Sequence, residues 1–230
     1  MQKNNPARVS NLIGFASSLT LGLMFLLYVG CFVGIMGSGP LFVWSGIEPY
    51  LAYIKSHDQT LKLASYTGML LFCFAFALLA EVVCAAAPES RRVPARAGAT
   101  LAWLFALASG GNYFVQLTVA RWGAEAGGVV LEQIVMANPH SLLSAVNMLG
   151  WTVLLGSSCL LLAVSLEGCE NRAARVSLLA CAANSLVAAL GFLLDNAAVL
   201  AVTMYPLLGG TMLVVSAVFS LRFRKALLER

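Results

Sequence analysis

The chain has 230 residues, of which 60% are hydrophobic and only 10% charged. A soluble domain carries about 25% charged residues and about 45–50% apolar ones, so this chain has too few charges to cover a water-exposed surface, and the same deficit excludes a disordered chain. Fourteen basic and ten acidic residues leave a net charge of +4, but in so apolar a chain the placement of charge says more than its sum; what remains is an all-α polytopic membrane protein whose surroundings are the lipid bilayer, with no nucleic-acid partner expected.

A membrane-spanning helix needs about 20 largely apolar residues. Six stretches of that order predict helices over 11–36, 62–86, 97–120, 141–164, 174–194 and 198–220, in a single transmembrane domain covering 1–230. The first lies in a run from Val9 to Ile47 that holds no charge, too long for one helix. Gly37-Ser38-Gly39-Pro40 ends it through backbone freedom and a missing donor. Lys3 and Arg8 precede this run, but it is longer than a signal-peptide core and lacks a small-residue cleavage site, so it is expected to be retained. The following segment to Ile54 mixes aromatics with sparse charge and is expected at headgroup depth, with Trp44, Tyr50 and Tyr53 as anchors. The second helix runs through Leu63–Ala80 to Glu81, and the third holds Asn112 and Gln116. Val129–Ala137 is a second interfacial stretch, and Pro139 marks the start of the fourth helix. The fifth ends at Asp195, and the sixth contains Pro206, a candidate kink.

Six helices place both termini on one side. That side carries eleven basic residues (Lys3, Arg8, Arg91, Arg92, Arg96, Arg172, Arg175, Arg222, Arg224, Lys225 and Arg230), against Lys55, Lys62 and Arg121 on the other. Basic loops stay cytoplasmic, so both termini are expected inside. No internal repeat of the kind found in inverted-repeat transporters is visible.

Nucleotide-binding loops, the zinc-protease H-E-x-x-H pattern and the G-x-S-x-G nucleophile elbow are all missing from the sequence. The six cysteines form no C-x-x-C pair and mostly lie in apolar runs, where they read as small buried residues. The two histidines, His57 and His140, fall on connecting segments, so neither a metal site nor a haem, nor any other cofactor, is expected. Polar groups within the helices are more telling, because they are costly there. Asn112 and Gln116 are spaced i, i+4, and His140, Ser144 and Asn147 by four and three, so each set shares a helical face. With Asp195 they sit at similar depth in the outer leaflet. The expectation is that Asn112, Gln116, His140, Asn147 and Asp195 face one ligand-binding pocket, with pairwise interhelical hydrogen bonds as the alternative. Glu81 is expected to reach the inner interface and meet Arg91 or Arg92, or alternatively to carry a proton. The spacings Ser18–Gly22, Gly30–Gly34 and Ala102–Ala106–Gly110 read as close helix packing.

The segments Gly111-Asn112-Tyr113-Phe114-Val115-Gln116-Leu117-Thr118-Val119, Asn138-Pro139-His140-Ser141 and Asn147-Met148-Leu149-Gly150-Trp151 resemble a set of uncharacterised small prokaryotic multi-pass membrane proteins. The resemblance covers less than a third of the chain and implies a fold-level neighbour without an activity. In those proteins a glutamate usually stands at the place of Asn147, and this chain departs from the pattern there.

The leading expectation is therefore a prokaryotic inner-membrane protein that binds or moves a small or lipid-like ligand. The alternatives are a membrane-embedded enzyme using His140, Asp195 or Glu81 as acid–base groups on a lipidic substrate, and a structural subunit packed on a second copy or another membrane partner. The charge asymmetry predicts that reporter fusions place the N-terminus, Arg91, Arg172 and the C-terminus in the cytoplasm and Lys55 and Glu125 outside. Termini on opposite sides would end the six-helix reading.

Overall fold

The computed structural model describes residues 6–122 and 129–229. Glu125 lies outside the described residues. The chain is all-helical, and no strand occurs among the described residues. The long rods are α1 (Pro6–Ser38), α3 (Thr60–Ala85), α4 (Arg92–Phe105, continuing through a π turn at Ala106–Gly110 into Gly111–Leu117), α6 (Leu142–Ser165), α7 (Cys169–Leu193) and α8 (Ala197–Leu228). Two short helices, α2 (Ile47–Ser56) and α5 (Val129–Ile134), lie between them. Five rods, α1, α3, α6, α7 and α8, are long and apolar enough to cross a membrane. The chain is accordingly an integral membrane protein. α4 is not among these five. It starts with Arg92 and Arg96 and holds Asn112, Tyr113 and Gln116 near its other end.

The rods run past the sequence-predicted ends where charge can reach an interface. α8 continues through Arg222, Arg224 and Lys225, whose long side chains can carry their charge outward from an apolar stem. α4 likewise begins at Arg92, five residues before the expected start. α1 stops at Ser38, ahead of Gly39-Pro40.

Successive rods pack antiparallel and the last returns to the first. Gly14 near the start of α1 faces the Phe223 ring near the end of α8, whereas Phe25 faces Gly209 near the start of α8. Both chain ends therefore lie at one end of the bundle. Between those points Ser216 Oγ donates to the Ser18 carbonyl at 2.6 Å and Ser220 Oγ to Ser18 Oγ at 2.9 Å. Gly22, four residues from Ser18, lies against Ser216, so this small-residue pair does bring two backbones together. α3 and α4 meet through Phe76 and Phe105 (ring centroids 5.8 Å apart), α4 and α6 through the Ser158 Oγ bond to the Gly98 carbonyl (2.8 Å). α6 and α7 meet at Gly156 and Ser185, α7 and α8 at Gly191 and Val199. Ala102, Ala106 and Gly110 are buried along α4, and Gly34 lies against Leu61 of α3, whereas Gly30 faces open space. Lipid offers no hydrophobic reward for bringing apolar rods together, so these close contacts and hydrogen bonds hold the ring.

The half of the bundle near the chain ends is solid. Phe72, Phe76, Phe105, Cys159, Leu162 and Phe219 are fully or almost fully buried there. At the far end the two interfacial segments pack on each other: Phe42, Trp44, Tyr50 and Tyr53 cluster with ring centroids 5.2–6.3 Å apart, and Tyr50 shares a small apolar core with Ala120, Leu131 and Val135. Gly46, at φ +130°, makes the turn into α2, a conformation closed to residues with a Cβ.

A Cβ on Gly98 would stand 2.9 Å from Leu162 Cγ and 3.2 Å from the Leu162 backbone nitrogen. Gly98→Val is therefore expected to cost about 1–3 kcal/mol by overpacking the α4–α6 contact. Gly30→Val, at an open position, is expected to leave the melting temperature in detergent unchanged.

Candidate functional site

The third-helix amides do turn inward. Asn112 is fully buried and Gln116 nearly so. Gln116 brackets the end of α5: its Nε2 donates to the Ile134 carbonyl at 2.6 Å and its Oε1 accepts from the Met136 N–H at 3.2 Å. Asn112 Nδ2 contacts Met136 Sδ at 3.2 Å, and its Oδ1 lies 3.4 Å from Gln116 Nε2. The pair thus stitches α4 to the end of α5 and the turn that follows it, Gln116 supplying one donor and one acceptor to the backbone and Asn112 a contact to the Met136 side chain.

His140 and Asp195 have other employment. In Asn138-Pro139-His140-Ser141, Asn138 Oδ1 accepts from the His140 N–H at 3.0 Å, and Ser141 caps α6 by accepting from the Ser144 N–H at 3.1 Å. The His140 ring is exposed. Asp195 stands at φ +49°, with its N–H bonded to the Phe192 carbonyl and that of Asn196 to the Gly191 carbonyl. This is the double bond pattern of a helix C-terminal Schellman motif, with Asp at the left-handed position. Asn196 then caps α8, its Oδ1 accepting from the Val199 N–H at 3.1 Å. Asp195-Asn196 is a two-residue helical turn, and the Asp195 carboxylate is exposed. Among the described residues no hydrogen bond or ion pair joins His140 or Asp195 to each other or to Asn112, Gln116 or Asn147. The five side chains are not one cluster: three are buried, and two sit at exposed turns.

Glu81 is exposed in the last turns of α3, and its partner differs from the one expected. Trp103 of α4 donates its indole N–H to Glu81 Oε1 at 2.9 Å. Arg91 pairs with Glu167 at 2.7 Å and Arg92 with Glu89 at 2.6 Å. The antiparallel α3–α4 packing puts Trp103 opposite Glu81, whereas the arginines lie beyond the helix end, within reach of loop carboxylates. His140, Asp195 and Glu81 thus occupy three separate segments.

Asn147 marks the place where the bundle opens. It lines a cavity of about 540 Å³ in the half remote from the chain ends. All six rods contribute, among them α1 with Phe25, Tyr28 and Phe32, α4 with Tyr113, and α7 with Phe192. Five of the eight methionines, Met69, Met136, Met148, Met204 and Met212, are in its wall. Unbranched thioethers adapt to irregular apolar shapes. Polar atoms are few. Trp151 Nε1 donates to Tyr113 Oη at 3.2 Å, and Ser144 Oγ is taken up by the Asn138 carbonyl at 2.8 Å. Asn147 Oδ1 is buried and has no hydrogen-bond partner. Such an orphan acceptor costs about 1–3 kcal/mol, and an uncompensated one in a native structure calls for an explanation.

Three π turns border this space: Ala106–Gly110, Gly150–Leu154 and Thr203–Leu208, the last built around Pro206. Trp151, Met204 and Leu208 reach the cavity from two of them, and Tyr113 from just beyond the third. The first two touch, with Ser109 Oγ donating to the Asn147 carbonyl at 3.3 Å and leaving room for nothing larger than glycine at Gly150. Thr152 and Thr203 hydroxyls bond the carbonyls four residues back, at 2.6 and 2.7 Å. π turns are rare and gather at functional sites. Sequence reasoning reached Asn147 but not the methionine and aromatic wall around it. The spacing of Phe25, Tyr28 and Phe32 by three and four was the available signal for an aromatic face on α1.

Comparisons with family models, with curated proteins and with solved structures return no match. The reading of the site rests on its geometry.

Gln116→Leu leaves the Ile134 carbonyl and the Met136 N–H without their side-chain partner, so a loss of about 1–3 kcal/mol per buried group is expected in thermal unfolding. Glu81→Gln keeps an oxygen for Trp103, and its stability is expected to stay within about 1 kcal/mol of the parent.

Proposed function

We propose that this chain is a six-span protein of a prokaryotic plasma membrane, with both termini cytoplasmic, that binds a small, largely apolar, lipid-like molecule in the cavity beside Asn147. The observation that carries the reading is the pairing of an adaptable apolar wall with one orphan acceptor. Ligand sites are mostly apolar concavities of about 300–1,000 Å³ with a few placed polar groups, and this cavity has that size and make-up. The wall supplies dispersion contacts to a hydrocarbon or ring system, and Asn147 Oδ1 supplies one acceptor for a hydroxyl or N–H of the ligand.

A sixth span by α4 is supported by the two sides of that rod. Its polar groups at Asn112 and Gln116 turn to protein, whereas Leu104, Leu107 and Phe114 are 44%, 66% and 56% exposed on its outer side. A rod polar inward and apolar outward suits lipid. The eleven-to-three distribution of basic residues supports cytoplasmic termini. On this reading the cavity lies in the outer-leaflet half.

Native mass spectrometry of protein extracted in mild detergent tests the binding reading. The parent is expected to carry an apolar adduct, and Met204→Trp, which fills the wall, to lower its occupancy at least about tenfold, as a loss of about 1.4 kcal/mol would. A parent free of adduct, or equal occupancy in both proteins, overturns the reading.

A further inference from the structure

A second cleft, of about 410 Å³, opens beside the first at the same end of the bundle. Its character is different. Lys62, in the first turn of α3, donates to Tyr50 Oη at 2.9 Å and sits over two rings, 4.9 Å from the Tyr50 centroid and 6.0 Å from that of Tyr66. No carboxylate pairs with Lys62 among the described residues. An ammonium has three donors, and Tyr50 occupies one of them. Tyr50 itself is 7% exposed, and burial pushes its phenol up to about 12, so it keeps its proton across the physiological range. With its oxygen accepting from Lys62, the Tyr50 O–H is the donor that remains.

Two other charges line the cleft, Lys55 and Asp58. Asp58 Oδ1 is held locally by the Thr60 N–H at 3.0 Å and the Thr60 hydroxyl at 2.7 Å, which draw its carboxyl below the usual range. The cleft thus carries two cations against one engaged carboxylate, and a partly buried ammonium beside a phenol donor is a match for an oxyanion.

The cleft and the apolar cavity meet at two places. Tyr66 lines the cleft and Tyr113 the cavity, with ring centroids 6.0 Å apart. Gln116 lines the cleft and bonds Met136, which lines the cavity. Turning the Tyr113 ring gives up its bond from Trp151 Nε1 but no backbone hydrogen bond.

We infer that Lys62 and Tyr50 hold the anionic head of an acidic amphiphile whose apolar part occupies the Asn147 cavity. The inference rests on the cavity reading above and gives it a ligand class: a carboxylate or phosphate oxyanion on a hydrocarbon chain. The head accepts from the Lys62 ammonium and the Tyr50 hydroxyl, and the chain passes the Tyr66–Tyr113 partition.

The test is equilibrium binding of tritiated palmitate, palmitoyl lysophosphatidate and uncharged hexadecanol to the purified full-length protein in dodecyl maltoside. Hexadecanol has the same chain and no charge. An acidic ligand is expected to bind at least about tenfold tighter than hexadecanol, the worth of one hydrogen bond to a charged group. That margin should vanish in Lys62→Met, survive in Lys62→Arg, and shrink in Tyr50→Phe. Met204→Trp should weaken all three ligands. Tighter binding of palmitate than of lysophosphatidate assigns the site to a free fatty carboxylate, and the reverse order to a phospholipid headgroup. Melting temperatures of the variants show that each is folded, and Tyr50→Phe carries the test if Lys62→Met is not, a margin undiminished there overturning the head-group site. Equal binding of charged and uncharged chains overturns the head-group site while leaving the cavity reading standing. A margin that persists in Lys62→Met, or acidic ligands indifferent to Met204→Trp, overturns it as well. No binding of any of the three overturns both.

Discussion

In the hydrocarbon core a polar group has no water to turn to, and most of this structure follows from that one restriction. Serine and threonine hydroxyls along the rods bond carbonyls three or four residues back, as Ser65, Thr67, Ser177 and Thr211 do. Others reach across, as Ser158 does to Gly98 and Ser216 to Ser18. The same restriction explains how the π turns are tolerated. A hydroxyl stands at each of them: Ser109, Thr152 and Thr203 donate to the Asn147, Met148 and Val199 carbonyls. Within the apolar stretches of the rods Asn147 Oδ1 and Ser185 Oγ break the pattern, and of the two Asn147 lines the cavity.

Helices were easy to read because the bilayer imposes a length and a composition on them. The five strongly apolar rods lie close to the expected spans. The polar residues were harder, because spacing assigns a face but not a partner. Asn112 and Gln116 turn inward as the i, i+4 spacing implied, yet Gln116 bonds the backbone of Ile134 and Met136 and Asn112 the Met136 sulfur, where the short helix gives way to a path with no periodic signature. His140 and Asp195 looked like ionisable groups at matched depth. Their neighbours were the better guide: Asn138-Pro139 ahead of Ser141 is a turn and cap, and Asp195-Asn196 between two apolar runs is a C-terminal and an N-terminal cap in succession. Methionine and aromatic positions around the cavity were invisible to a search for polar chemistry, since an apolar wall reads like any other core.

The bundle divides its labour along its length. Near the chain ends large rings fill the interior, with Phe105 and Trp151 edge to face at 5.1 Å. Beyond Trp151 the π turns and Pro206 interrupt the regular rods, and the far end is roofed by α2 and α5 instead of by continuous helix. A tightly packed half thus adjoins a half that encloses a cavity. Buried Cys159 and Cys181, with Sγ atoms 3.5 Å apart, belong to the packed half.

The clasp made by Gln116 also bears on how the chain is assembled. Gln116 precedes in sequence the two backbone groups it serves, Ile134 and Met136. A ribosome therefore delivers α4, the least apolar rod, some twenty residues before its amides can be matched. α1, most of whose surface remains open to lipid in the finished protein, carries no such debt and can settle in the bilayer on arrival. The order of synthesis and the order in which contacts can close thus diverge at this rod.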